Sequence, residues 1–173
     1  LRRPDGLWGG SQAADEEYSR LDVDGRRGRP RPDVDPVVYT DANALWVRAL
    51  VESGARLGRE DWIERGAEAF GLLLDRMAAP GGMLYHFHSP DVDPAVDGLL
   101  VDTLEAARAA LSLAQATGHA EYVEQARRLA EAMEQRLWSE KGGFNDHADP
   151  NGPGALRYLD RPFDRNASAA RLF

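Results

Sequence analysis

The sequence contains no cysteine, which excludes disulfide bonds, thiolate zinc sites and CxxC redox chemistry within these 173 residues. No apolar run approaches the roughly 18 residues of a membrane span, and no signal peptide opens the chain. Basic residues number 21 against 29 acidic ones, and the resulting net charge of −8 argues against general binding of nucleic acid or of anionic membranes. The absence of a visible export signal alone makes cytoplasmic residence the default expectation.

The chain length fits one ordinary domain, and 43% hydrophobic residues can form a real core. Both ends look cut, because the chain starts at Leu1 without a methionine and stops at Phe173, soon after a helix-start signal at Asp164. We therefore expect a fragment of a longer protein. The remainder of that polypeptide, or a second copy, is then the expected partner of any apolar edge left open.

A helical hairpin occurs twice, about 60 residues apart, and a third copy begins near the C-terminal end. Residues 58–64 (GREDWIE) return as 118–124 (GHAEYVE), and 82–84 (GML) return as 142–144 (GGF). A repeat of this length is typical of a solenoid or of a closed ring of helix pairs. A ring of six such hairpins would need about 350 residues, roughly twice the present length.

The spacing of apolar residues and the positions of glycine and proline predict the helices, strands and loops. We expect an irregular segment over 1–38, with an Arg- and Pro-rich loop at 25–32, and helical hairpins over 39–173. The hairpins cover about 40–88 and 97–145, with the start of a third at 164, and 84–88 alternates like a short strand. The 25–32 loop is interpreted as a solvated linker, although a lid or a partner-contacting role stays open. The fold class is all-α, with helical hairpins of part of an (α/α) toroid.

Such a repeat brings the starts of alternate helices to one end of the assembly, where they would surround the mouth of a central cavity. Carboxylates and amides at these starts suit sugar hydroxyls, and two carboxylates could act as general acid and base. The alternative is that they only cap helices, which stabilises each helix by about 1 kcal/mol. The candidates are Asp41, Asp102 and Asp164 for catalysis, and Tyr39, Asn43 and Asn166 for ligand binding.

Two further features are candidates for ligand contact. His86 and His88 lie two apart in the extended segment and so point to one face. Paired histidines can bind a metal, but no third ligand sits at an informative spacing, so we expect no metal. His86 is a candidate for hydrogen bonding to a ligand, and ordinary packing or surface placement is the alternative. Trp8, within a Gly-rich stretch, could stack on a sugar or could anchor the N-terminal segment to the core.

Several stretches carry a family resemblance. Residues 9–18 (GGSQAADEEY) look like the motif GSQDADEEYY, and 39–45 (YTDANAL) look like YTDWNAL. Residues 142–144 and 161–167 (RPFDRNA) are similar to the later GGFF and KPxxDNA regions. Together they resemble the helical domain of thioredoxin-domain-containing proteins of the spermatogenesis-associated-protein-like family. That resemblance implies an (α/α) toroid similar to six-hairpin glycosidases and sugar 2-epimerases, rather than one particular reaction.

The resemblance also implies site residues. Asp15, Asp41, Asn43 and Asp164 match the family's motifs and are carried over as ligand-facing candidates. Ala13 stands where the family has Asp, and Ala42 stands where it has Trp. The 164–170 stretch is an altered form of DNAxPSGNS. If those positions contact a ligand, this chain has a lost or changed activity.

Two functions follow from the sequence. The first is a carbohydrate-active or carbohydrate-binding domain that takes a sugar or another polyhydroxylated small molecule and uses no cofactor. The second is a non-catalytic helical scaffold that supports a thioredoxin-like domain or binds a protein partner. A cavity lined by carboxylates and aromatic rings would favour the first function, and a cavity filled by apolar side chains would favour the second.

Overall fold

The computed structural model describes residues 2–149, 151 and 154–173. Two five-residue helices, α1 (Glu16–Arg20) and α2 (Val23–Arg27), come first. Four helices of 18 residues follow, then a 3₁₀ turn and a last short helix: α3 (Thr40–Leu57), α4 (Glu60–Met77), α5 (Leu100–Thr117), α6 (Ala120–Leu137), Gly154–Arg157 and α7 (Phe163–Ala169). Among the described residues, none of the helices is both long and apolar enough to cross a membrane.

The predicted repeat of about 60 residues is confirmed. Helix α5 begins 60 positions after α3, and α6 begins 60 positions after α4. Gly58 and Gly118 end the first helix of each pair in the left-handed backbone region, with φ of 64° and 73°, which glycine adopts without steric cost. The equal lengths follow because the same stop signal recurs at the same distance from each helix start.

The helices form two rows. Helix α3 packs against both α4 and α5, α5 packs against α6, and α7 contacts α5, so that α3, α5 and α7 form one row and α4 and α6 the other. Buried apolar side chains fill the space between the rows, each stabilising the fold by about 1.5–3 kcal/mol relative to its exposed state. The largest of these side chains include Val47, Phe70, Leu73, Met77, Leu104, Leu113, Met133 and Leu137.

Three turns at the end of the assembly where α4 and α6 finish share one pattern of backbone hydrogen bonds. They comprise residues 2–8, 78–84 and 138–144, and each closes with a bridge between its first and last residue. In each turn the second residue donates its N–H to the carbonyl of the sixth, at 2.8, 2.9 and 2.9 Å. We call these the hairpin turns. The first of them gives the N-terminal residues the same hydrogen-bond pattern as the later two repeats.

A small sheet lies beside the helix starts. Its strands are β1 (Val38–Tyr39), β2 (Tyr85–Ser89) and β3 (Val92–Asp97), in the order β1-β2-β3 with both pairings antiparallel. The predicted strand at 84–88 is confirmed, whereas β3 was not predicted, because its sequence has little apolar alternation. Because β1 runs directly into α3, the sheet places β2 beside the start of that helix.

The N-terminal segment is more ordered than the irregular region predicted from its sequence. Side chains of Asp15 and Asp22 cap α1 and α2 by accepting backbone N–H groups of Tyr18 and Gly25, and α2 includes part of the Arg-rich stretch. The segment folds back on itself, since Asp35 donates its N–H to the Ser11 carbonyl at 2.8 Å. We call residues 9–35 the arm.

Candidate active site at the helix starts

Three titratable side chains meet where the sheet covers the helix starts. Asp41 lies in the first turn of α3, Asp102 in the first turn of α5, and His86 on β2. Candidate ligand atoms of all three lie within 4.8 Å of one another. The predicted meeting of helix starts therefore brings Asp41 and Asp102 together, and the strand adds His86 to them.

Asp102 is fully buried and supports the other two residues. Its carboxylate accepts the Nδ1–H of His86 at 3.0 and 3.1 Å and the backbone N–H of Asp41 at 3.1 Å. Burial raises the pKa of Asp102, and its hydrogen bond to His86 opposes that rise. Because none of its surface is exposed, Asp102 cannot itself reach a bound molecule. The direct acid–base role expected of it is not supported, and its contacts are those of a group that orients His86.

His86 is partly exposed and is held in one orientation. The hydrogen bond to Asp102 raises the pKa of His86, with burial acting in the opposite direction. Since Nδ1 is occupied by the carboxylate, Nε2 is the ring atom left to face solvent or a ligand, and it has no hydrogen bond within the described part of the chain. An imidazole oriented in this way by a buried carboxylate can accept or donate a proton near neutral pH.

Tyr39 and Asp41 surround the imidazole. The Tyr39 ring lies 5.5 Å from the His86 ring at a tilt of 55°. Asp41 is half-buried, and its Oδ1 accepts the Ala42 N–H at 2.7 Å. Asp41 was a candidate cap of α3, but Tyr39 occupies the cap position and Asp41 is the second residue of the helix. Both side chains thus stand beside the group that could move a proton.

The same three side chains carry the donor types of a divalent-cation site. Asp102 already uses its carboxylate to hold His86 and the Asp41 backbone, so metal binding would have to break that arrangement. His88 does not join the group, because its Nδ1 donates to the Val92 carbonyl at 3.1 Å. The two histidines share a face of β2 but have separate partners.

Asn43 and Asn166 use their amides to hold backbone groups. Asn43 accepts the Trp8 N–H at 2.8 Å and donates to the carbonyls of Trp8 and Tyr39 at 3.0 and 2.9 Å. Asn166 accepts the Phe144 N–H at 2.6 Å and donates to the carbonyls of Phe144 and Pro162. The ligand-binding role expected of both residues is not supported, because these contacts engage both ends of each amide.

Three other candidates lie away from the cluster or lack access. Trp8 is buried and stacks on Trp46, with ring centroids 5.8 Å apart, so it anchors the N-terminal segment and has no open face for a sugar. Asp164 is 76% exposed and lies 3.6 Å from its neighbour Arg165. Asp15 caps α1 in the arm. None of the three shares a contact with His86, so the geometry gives them no part in the cluster.

The pairing of His86 with Asp102 was not anticipated, although each residue was a candidate alone. The alternation of residues in β2 gave part of the information needed to predict this pair. In β2 the residues that alternate with Tyr85 and Phe87 point to the face opposite theirs, and Asp102 is two positions inside α5. Recognising the pair from sequence would have required the register that joins β1 to β2, because that register sets where His86 lies along the helix starts.

Solved structures with the same helical arrangement are enzymes that process carbohydrates. The chain superimposes on unsaturated glucuronyl hydrolase from Bacillus sp. GL1 with a TM-score of 0.69 and 14% identity, over 99% of this chain and 47% of the enzyme. It superimposes on cellobiose 2-epimerase from Bacillus thermoamylovorans with a TM-score of 0.68 and 12% identity, over 82% and 40%. It superimposes on a D-mannose isomerase with a TM-score of 0.62 and 18% identity, over 78% of this chain and 37% of the isomerase.

These similarities define the fold. The chain has the helical hairpins of an (α/α) toroid of the six-hairpin glycosidase type, and it spans less than half the length of these solved structures. No protein-family model and no curated protein sequence matches it. The fold prediction is confirmed, and the toroid architecture implied by the family resemblance is confirmed with it.

Proposed function

We propose that this chain carries a carbohydrate-active site in which His86 transfers protons to and from a sugar. The observation that carries the proposal is the hydrogen bond between His86 Nδ1 and the buried carboxylate of Asp102. It fixes the ring, favours its protonated form and directs Nε2 away from the core. The sugar isomerase and sugar epimerase among the structural neighbours support a carbohydrate as the substrate class.

Proton transfer by imidazole fits the geometry better than hydrolysis by two carboxylates. A glycosidase needs two carboxyl groups that both face the scissile bond. Asp41 and Asp102 do not meet that requirement, since Asp102 is wholly buried. A single oriented imidazole instead suits abstraction of a proton from the carbon next to a sugar carbonyl.

The proposed reaction is balanced without an external oxidant or reductant. His86 Nε2 takes the proton from the carbon adjacent to the carbonyl of an open-chain sugar, and an enediolate forms. Nε2 exchanges its proton with solvent while the enediolate is bound. It then returns a proton to the neighbouring carbon while the hydroxyl proton moves to the former carbonyl oxygen, which gives the isomer. Alternatively the enediolate turns its other face toward the ring and the first carbon receives the proton, which gives the epimer. Asp41 and Tyr39 hold hydroxyl groups of the sugar, and Asp102 stabilises the imidazolium between the two steps.

The test is exchange of the sugar's carbon-bound proton with solvent. Full-length protein is incubated in D₂O with D-mannose, D-glucose or cellobiose, and deuterium at the carbon next to the carbonyl is followed by NMR. We expect incorporation that His86→Gln reduces by about 10²–10⁴-fold. His88→Gln is the matched control on the same strand and should leave the rate unchanged. Absence of exchange on every sugar, or a His86→Gln variant as active as the parent, would overturn the proposal.

Contributions of the carboxylates can be separated in the same assay. Asp102→Asn should lower the exchange rate because the ring loses the acceptor that fixes its orientation. Asp41→Asn should weaken sugar binding, measured as a smaller ligand-dependent rise in melting temperature. Asp164→Asn serves as the comparison, since Asp164 lies in solvent. Equal effects of Asp41→Asn and Asp164→Asn would argue against a sugar site at the α3 start.

The second candidate function is a helical scaffold attached to a thioredoxin-like domain, as the family resemblance implies. The exposed apolar side chains of Leu45 and Trp46 on α3 favour this alternative, as do the altered motif positions Ala13 and Ala42. Co-purification of this segment with a separately expressed thioredoxin-like domain of the same polypeptide, lost on Trp46→Ser, would support it. A well-folded segment that retains no such domain would count against it.

A further inference from the structure

The arm borders an open polar cavity at the surface, away from the His86 cluster, and its lining residues Arg2, Gln12, Arg31 and Asp33 are exposed. Its volume is about 730 Å³, within the range of small-molecule sites. Side chains from the first and the last part of the arm line it, together with Arg2. The lining groups that carry the argument are Arg2, Gln12, Tyr18, Arg31 and Asp33.

The arginines that line this cavity differ from the other arginines of the arm in their partners. Arg20, Arg27 and Arg29 each pair with a carboxylate of the arm. By contrast, neither the Arg2 nor the Arg31 guanidinium makes a hydrogen bond or ion pair among the residues that the structure describes. An arginine lining a concave surface with its donors unused is suited to binding an oxyanion through paired N–H groups.

The balance of charge selects between oxyanions. Two guanidinium groups and the Asp33 carboxylate give the cavity wall a net charge of about +1 at neutral pH. A carboxylate, with one negative charge, matches that value, whereas a phosphate monoester carries close to two. The whole chain has a net charge of −8, which further disfavours the more highly charged ligand.

The cavity is joined to the His86 cluster through the base of the arm. A Cβ placed on Gly10 would lie 2.6 Å from Cε2 of Tyr39, so the arm backbone packs directly on the Tyr39 ring, which in turn lies against His86. Gln12, which lines the cavity, is two residues further along the arm, or about 7 Å in extended chain. One saccharide chain could therefore contact both places.

We infer that the arm cavity binds the carboxylate of an acidic saccharide, a uronate, through Arg31 and Arg2, with Gln12 and Tyr18 taking its hydroxyl groups. The inference rests on the proposed function, since the adjoining sugar unit would lie at His86. In this arrangement the arm is the element that selects the substrate, and the His86 cluster performs the proton transfer.

Calorimetric titration of the full-length protein with D-glucuronate, D-glucose and D-glucose 6-phosphate tests the inference. We expect D-glucuronate to bind at least about tenfold more tightly than D-glucose, because a charge-assisted hydrogen bond to arginine contributes more than a neutral one. Arg31→Gln should bring glucuronate to the level of glucose. Arg27→Gln is the matched control, because Arg27 is exposed and pairs with Asp24. Asp33→Asn should strengthen binding of glucose 6-phosphate.

The outcomes separate this inference from the proposed function. Equal affinities for glucuronate and glucose, no loss in Arg31→Gln, or tighter binding of glucose 6-phosphate than of glucuronate by the unmodified protein would overturn the arm site. Proton exchange on neutral sugars would still stand in each case. Conversely, Arg31-dependent binding of glucuronate that is unchanged in His86→Gln, without exchange on any sugar, would support the arm site and refute the proton-transfer proposal.

Discussion

Asn43 and Asn166 make the same three backbone hydrogen bonds in different repeats of the chain. Each accepts the N–H of the residue that ends a hairpin turn and donates to that residue's carbonyl and to the carbonyl four positions earlier, at the cap of its own helix. Thr103 occupies the corresponding place on α5 and accepts only the Leu84 N–H, at 3.3 Å. The helix starts are thus fixed to the hairpin turns by side chains that were candidates for ligand binding.

Asn43→Ala should destabilise the protein by about 3 kcal/mol, because it leaves buried backbone groups of Trp8 and Tyr39 without partners. Chemical denaturation measures the change. Thr103→Val removes one longer hydrogen bond, and its expected cost is about 1 kcal/mol. Equal losses in the two variants would show that Asn43 has no special part in holding the first hairpin turn.

Two glycines of α4 should respond in opposite directions to alanine. A Cβ on Gly66 would lie 2.5 Å from Cγ2 of the buried Val51, and we expect Gly66→Ala to cost about 1–3 kcal/mol because the packed core must shift. A Cβ on Gly71 would meet no atom within 4 Å, so Gly71→Ala should stabilise the protein by about 0.5–1 kcal/mol through helix propensity. Melting temperatures of the pair provide the comparison. A stabilising Gly66→Ala would mean that α3 and α4 can separate at little cost.

Stability should depend on pH through His86. Its folded-state pKa is raised above the ordinary value of 6.5 by the hydrogen bond to Asp102, so the folded protein holds that proton more tightly than the unfolded chain. The stabilisation is complete below about pH 6.5 and is lost as pH rises through the raised folded-state pKa. Burial raises the pKa of Asp102. Protonation of Asp102 therefore also favours the folded protein, and that contribution is lost at lower pH than the contribution of His86. Denaturation between pH 6 and pH 9 should show a decline that His86→Gln makes shallower and His88→Gln does not.

The 173-residue segment should self-associate when expressed alone. Leu45 and Trp46 are 56% and 44% exposed on α3, and their α5 counterparts, Glu105 and Ala106, are buried. An uncovered apolar helix face of this kind favours association. Sedimentation velocity over a range of concentrations measures it, and Leu45→Ser with Trp46→Ser should shift the distribution toward monomer. A concentration-independent monomer before substitution would show that this face does not associate.

The repeat and its helices were accessible from sequence because they depend on local signals. Apolar residues at helical spacing, together with Gly58 and Gly118, predict hairpins at about 40–88 and 97–145, and α3 to α6 lie within those ranges. Strand β3 and the short helices of the arm were missed. These elements depend on pairing with β2 and on single side-chain caps, and neither gives a periodic apolar pattern.

The site was predictable only in part, for a physical reason. A repeat places Asp41 and Asp102 at one end of the molecule, but sequence does not give the depth at which each carboxylate lies. That depth separates the half-buried Asp41 from the fully buried Asp102. Likewise, an asparagine at a helix start has the same appearance whether it binds a ligand or, like Asn43, holds a neighbouring backbone.

The shared hydrogen-bond pattern of the three hairpin turns has a consequence for engineering. Residues 2–8, 78–84 and 138–144 keep one pattern of backbone hydrogen bonds although their side chains differ. The positive φ angles fall at different places, however: at Gly6 in the first turn, at Gly81 and Gly82 in the second, and at Gly142 and Gly143 in the third. A turn exchanged as a seven-residue module must therefore bring its own glycines with it to keep the hydrogen bonds. The last residue of each module, Trp8, Leu84 or Phe144, would then determine the shape of the surface beside the helix start that it adjoins.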